Sequence, residues 1–171
     1  MRVDDIIPAF LTACPGFVPL WQDYLASWGE DTERGVYNDV SIIADYLVDR
    51  YEAGDVAEIA TALAAVERFL AAGDEETRKL ATIGITEGIQ NVASHRPYGA
   101  QVFERWLKPR SRLAWLAGAA SWRYEFALAD LLHRQLDSNV PRYAMPDLNA
   151  IQSDEMREMV ERLYPRQGEA E

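Results

Sequence analysis

Of 171 residues only one, Cys14, is a cysteine, and only two, His95 and His133, are histidines. A single thiol excludes an internal disulfide and a four-thiolate zinc site. Basic residues are also in short supply, with 17 Lys and Arg against 28 Asp and Glu and a formal net charge of −11. Such a chain repels a phosphate backbone instead of gaining from counterion release, so nucleic acid is not an expected ligand. A basic protein is the partner that this charge favours. The longest uninterrupted apolar run, residues 113–120, is far below the roughly 20 residues a membrane helix needs. The first residues, Met1-Arg2-Val3-Asp4-Asp5, place acids where a signal peptide needs a basic region. A cytoplasmic protein without membrane attachment is expected. Also missing are the glycine-rich phosphate loops, the G-x-S-x-G elbow and the H-E-x-x-H zinc pair, and nothing points to a bound cofactor.

No stretch alternates apolar and polar residues as a half-buried strand does, and helical spacing dominates. The expected fold is all-α, a compact bundle of antiparallel helix hairpins over 1–171 as a single domain. A first helix over 3–13 stops at Cys14-Pro15, because Pro15 biases its predecessor away from the helical region. Pro19 suits the first turn of a second helix ending near Gly29. Asn38 or Asp39 caps a third with Val40, Ile43, Leu47 and Tyr51 inward, and Gly54 closes it. Asp55 and Glu58 have the form of a capping box for a fourth helix ending at Gly73. Asp74 opens a fifth that lasts until Pro97. The two Ala-Gly-Asp links make antiparallel neighbours over 38–96, weakly reminiscent of an α-solenoid. A short helix through Trp106 precedes a long one from residue 109 to Asp137, which Gly118 kinks. A loop with Pro141 and Pro146, a last helix over 153–164 and an acidic tail complete the chain.

Some polar residues fall inside apolar stripes. On a wheel of 100° per residue Glu67 lies among Ala60, Leu63 and Leu70, and Glu87, Asn91 and His95 form one row at the edge of the next inward arc. A buried carboxylate needs a donor. One reading is a structural polar network of Glu67, Glu87, Asn91 and His95, fed by Arg105, Arg112, Arg123, His95 or helix-end amides, with Glu87 and Asn91 buried as pins of the bundle. The other is a metal site held by Glu67, Glu87 and His95, since bundle cores can aim carboxylates and imidazoles from facing helices at one ion. His133, two turns after Glu125, reads as a partly exposed polar position, and Cys14 as a small buried hydrophobe. Gly84 and Gly88 read as a close helix approach. Trp106, Trp115 and Trp122 read as core, with an exposed edge available as a contact patch.

The segments FLTACPGFVPLW (10–21), YNDVSIIADYLVDRYEAGD (37–55), VERFLAAGDEETRKLATIGITEGIQNVASHR (66–96) and FERWLKPRSRLAW (103–115) resemble a family of uncharacterised bacterial helical proteins, a domain of unknown function, over about residues 6–122. The resemblance implies no activity and leaves 123–171 as a C-terminal helical extension. The expected function is a non-catalytic, acidic protein-binding protein, in its narrowest form an immunity-like inhibitor. The alternative is a metal-dependent enzyme with its carboxylate and histidine site in the bundle.

Overall fold

The computed structural model describes residues 1–28, 33–137 and 146–164; the expected helix end at Gly29, the loop around Pro141 and the acidic tail lie outside them. Within the described residues the chain is an all-α bundle with no strand. A 3-10 turn leads into α1 (Ile6–Ala13), which stops at Cys14 before Pro15. α2 (Phe17–Ser27) starts two residues earlier than Pro19. This is permitted because Pro19 still lies in the first turn, where an N–H has no intrahelical partner. α3 (Val36–Glu52) likewise begins ahead of Asn38, with Gly35 at its cap. Asp39, now inside the first turn, accepts from Tyr24 Oη at 2.9 Å and Arg34 Nε at 3.1 Å.

α4 (Val56–Ala72) starts after Asp55, but the Asp55–Glu58 capping box does not form, since the Asp55 side chain makes no cap hydrogen bond. The Glu58 carboxylate is engaged elsewhere. It accepts from the Gly16 amide, at the start of α2, at 3.1 Å and from the hydroxyl of Tyr46. Asp74 does cap its own helix, α5 (Glu75–Lys79), accepting from the Thr77 amide at 2.9 Å.

The helix then continues without a break but not with one winding: Leu80–Glu87 is π-helical, and α6 (Gly88–Ser94) returns to α geometry. Thr82 and Thr86 donate to carbonyls four residues back, at 2.9 and 2.6 Å, which competes with the ordinary ladder. The π segment and α6 pack on α3, and a Cβ on Gly84 would stand 2.6 Å from Val40 Cγ2, so glycine is what lets the backbones meet.

After the 3-10 helix Ala100–Trp106 comes α7 (Pro109–Trp122), buried throughout from Leu113 to Ala120 and packed against α4 and the π segment. Contact of α7 with elements so far back in the chain closes the helices into a bundle, where a solenoid would stack each unit on its neighbours only. The long helix expected to run from residue 109 to Asp137 is two helices: α8 (Phe126–Asp137) folds back on α7 after a turn at Arg123-Tyr124-Glu125. Gly118 lies inside α7 and does not end it. α9 (Asp154–Leu163) packs across α7 from the other side.

Burying α7 requires partners for its end groups. Glu67, reaching over from α4, accepts from the amides of Arg110 and Ser111 at 3.0 and 2.8 Å and from the Ser111 hydroxyl at 3.0 Å. Replacing Glu67 with Ala orphans all three donors, and urea unfolding should show a loss of about 1–3 kcal/mol. Glu67→Gln keeps an acceptor oxygen and should lose distinctly less.

Candidate functional site

Glu67 and Glu87 were expected to face one interior. The structure places them at opposite ends of α7. Glu67 meets the first turn, whereas the side chain of Glu87 lies over Gly118, where its Cγ is 2.6 Å from the position a Cβ would take. Seven residues of helix, about 10 Å of rise, separate Ser111 from Gly118. A divalent ion, whose ligands lie at roughly 2.0–2.6 Å, cannot be shared by the two carboxylates. His95 is exposed at the C-terminal end of α6, and among the described residues no group of three His, Cys, Asp or Glu side chains could hold a metal ion.

Asn91 is also exposed, so it cannot pin the bundle with Glu87 as expected, and the four-residue network is not assembled. The π segment supplies the physical reason. An i→i+5 ladder turns less per residue than the α-helix, so a wheel drawn at 100° through residues 80–87 loses phase for everything beyond it. The inward polar position on α6 belongs instead to Gln90, 5% exposed, whose Nε2 donates to the Trp115 carbonyl at 3.0 Å. The arginines expected to serve the acids are also engaged elsewhere. Arg112 donates to the carbonyls of Leu107 and Leu163, Arg105 lies over the Trp106 ring, and Arg123 pairs with Glu155. Cys14 is buried, with its thiol near the Glu58 carbonyl, and burial pushes its pKa up to about 11, so it is no nucleophile at neutral pH.

Sequence reasoning missed the most distinctive surface of the molecule, at the end of α7. There the amide of Tyr124 donates to Ser121 O and that of Glu125 to Ala120 O, which is a Schellman closure with Tyr124 in the left-handed position at φ 61°. α3 ends the same way, with Gly54 at φ 76° in the equivalent place. Glycine adopts that conformation freely and a bulky side chain does not. Tyr124 nevertheless occupies it and is 80% exposed, flanked by Trp122 at 44% and Phe126 at 61%, with the Tyr124 and Phe126 rings edge to face.

Trp122 is also one wall of a groove of about 500 Å³ between α6, the 3-10 helix, α7 and α9, where Gln90, Trp115, Ala119 and Met159 join it. Two ion pairs span its rim: Arg162 on Glu104, through two bonds of 2.9 and 3.0 Å, and Arg123 on Glu155. Burial raises the pKa of Glu87, whose side chain lies over Gly118, above the ordinary carboxylate value, and the Trp122 indole N–H offsets part of that rise.

Residues 7–123 match the family described as a domain of unknown function (DUF7674), and the chain belongs to that family. No curated protein and no solved structure matches it. Trp122 lies within the matched segment, while Tyr124, Phe126, α8 and α9 lie beyond it.

A carboxyl whose pKa is raised on folding holds its proton longer in the folded state than in the unfolded one. Its contribution to stability is therefore lost as pH rises from the ordinary carboxylate value through the raised one. Unfolding free energy measured across that range should fall with pH in the parent, and Glu87→Gln, which cannot ionise, should remove that component and be at least as stable as the parent at neutral pH.

Proposed function

We propose that this member of the family is a non-catalytic, acidic protein-binding protein that docks a basic protein through the aromatic tip of Trp122, Tyr124 and Phe126. The observation that carries this reading is Tyr124. Its left-handed backbone opposes folding, and its ring, 80% exposed, gains no burial to offset that cost. The same turn at the end of α3 uses glycine. Tyr124 therefore has its use in a contact outside the monomer fold, and exposed Tyr and Trp side chains are the residues on which interface energy concentrates.

Charge supports a basic partner over a lipid surface. Asp130 stands one turn beyond Phe126 on α8, and Glu158 lies on the exposed side of α9, where Asp154 and Glu155 are paired with Arg157 and Arg123. With a net charge of −11, the protein favours a cationic protein face and disfavours an anionic bilayer. In its narrowest form the partner is a protein whose own activity is suppressed in the complex, as for an immunity-like inhibitor.

The test separates stability from binding. Tyr124→Gly should raise unfolding free energy by about 0.5–1 kcal/mol, since the strain is relieved and little packing is lost. The same variant should weaken retention of a basic protein from extracts of the native host, in a manner that high salt also weakens. Retention unchanged by Tyr124→Gly and by the triple change Trp122→Ala, Tyr124→Gly, Phe126→Ala would remove the tip from the interface and overturn the reading. A parent that self-associates through the tip, detected as a doubled mass lost in Tyr124→Gly, would replace the basic partner with a second copy.

A further inference from the structure

Resting on that docking reading, we infer that Arg123 and Glu125 are positioning residues for the aromatic tip: they tether it to the start of α9, so that docking through Trp122, Tyr124 and Phe126 is coupled to the seating of the C-terminal helix. Exposure alternates across residues 122–126. Trp122, Tyr124 and Phe126 are exposed, whereas Arg123 and Glu125 between them are half-buried and buried. Both of these inward side chains end at the start of α9. Arg123 pairs with Glu155, and Glu125 accepts from the amides of Gln152 and Ser153 at 3.1 and 2.6 Å.

Glu125 is the stronger tether. Its buried carboxylate meets two consecutive amides at a helix start, where hydrogen bonds and helix dipole both favour a negative charge. Its main chain is committed as well: the amide closes α7 on Ala120 O, and the carbonyl accepts from the Ala129 amide at 3.0 Å in the first turn of α8. One residue thus joins the end of α7 to the starts of α8 and α9. Arg123 adds a second line on the other side of Tyr124. Besides Glu155 it binds Ala119 O at 3.2 Å, so its guanidinium bridges the last turn of α7 and the first turn of α9.

The outward rings contribute little to holding the tip. Tyr124 and Phe126 meet edge to face but stay exposed, so the left-handed backbone at 124 gains no burial of its own side chain. A strained residue persists only where its surroundings over-determine it, and here the anchored neighbours on either side do so. α9 in turn is seated on α7 by the burial of Met156, Met159, Val160 and Leu163. Seating of α9 and ordering of the tip are therefore coupled, and by linkage a partner that binds the ordered tip also strengthens the seating of α9. Glu125, being buried, does not touch the partner and acts on docking only through the geometry of its neighbours.

The experiment starts with the purified full chain and no partner. Backbone order at residues 122–126 is followed by NMR relaxation, and hydrogen exchange of the Gln152 and Ser153 amides is followed in the same samples. Glu125→Ala should lower order across the tip and speed exchange of both amides about tenfold, the factor carried by a hydrogen bond to a charged group worth about 1.5 kcal/mol. Glu125→Gln keeps one acceptor oxygen, so it should expose one of the two amides and loosen the tip by an intermediate amount. It gives the same comparison where the alanine variant does not fold. Glu155→Gln, which releases Arg123 alone, should speed the exchange by no more than about twofold, as expected of a part-exposed ion pair. Glu67→Ala, which destabilises α7 at its opposite end, is the control, and its tip should stay as ordered as the parent's. Retention of the basic protein from host extracts is then measured on the same variants, and Glu125→Ala should retain it as poorly as the triple tip change although all three aromatics are present. A tip that keeps its order in Glu125→Ala, that loosens as much in Glu67→Ala, or that docks normally while disordered would overturn the inference and leave the docking reading standing. Retention indifferent to the triple change, with tip order still following Glu125, would overturn the docking reading and leave Arg123 and Glu125 as structural tethers only.

Discussion

A helix buried on all sides cannot leave its terminal amides and carbonyls to water, and the rest of this fold is arranged around meeting that requirement for α7. Its first turn is the junction of the molecule. The amides of Arg110 and Ser111 receive the carboxylate of Glu67 from α4. The side chain of Arg110 reaches the carbonyls of Leu70 and Leu136, near the ends of α4 and α8, and that of Arg112 reaches Leu163 at the end of α9. Three consecutive residues thus satisfy one helix start and three helix ends, which fixes where α4, α8 and α9 terminate relative to one another. A cation beside a C-terminal carbonyl and an anion beside an N-terminal amide also complement the helix dipoles.

The same device recurs. Glu58 on α4 serves the start of α2, and Glu125, 8% exposed at the head of α8, accepts from the amides of Gln152 and Ser153 at the start of α9 at 3.1 and 2.6 Å. In each case the capping carboxylate comes from a different helix, so satisfying a helix end and docking two helices become one event. Of the caps expected from local sequence, only Asp74 acts on its own helix as read, because Asp74 and Thr77 are neighbours along the chain. Asp55 and Glu58 have the same spacing, but the carboxylate of Glu58 faces Gly16 and Tyr46, two residues distant in sequence that no local pattern can reveal.

Much of the helical framework was therefore legible: the stop at Cys14, the Gly54 closure, the opening at Asp74, the close approach of Gly84 and the inward stripe of Val40, Ile43 and Leu47 all follow from spacing and from turn chemistry. Glu67 was recognisable as an inward acid, and helix-end amides were among its candidate donors. The π segment was not legible, because it differs from an α-helix by a small change in ladder register that composition does not mark, and it carried Asn91 and His95 to the surface. The break at Tyr124 was not legible either. Helices that end in a left-handed residue announce it with glycine, and here the signal residue is an aromatic.

Tyr124 joins the family segment to the C-terminal extension. The match to the family ends at residue 123, and the next residue makes the turn on which all later structure depends. Only with Tyr124 in the left-handed region does the Glu125 amide return to Ala120 O, and only then does the Glu125 side chain enter the interior to hold the start of α9. The backbone conformation at 124 is thus demanded by the packing of α8 and α9, whatever side chain stands there. Packing demands nothing of that side chain, which is 80% exposed, and conformational energy alone favours glycine. When the backbone is dictated by the fold and the fold is indifferent to the ring, the ring is informative about the surface. A Tyr at this place, between Trp122 and Phe126, puts an exposed aromatic cluster at the junction between the family segment and its extension, and that is why the proposed docking face is placed there.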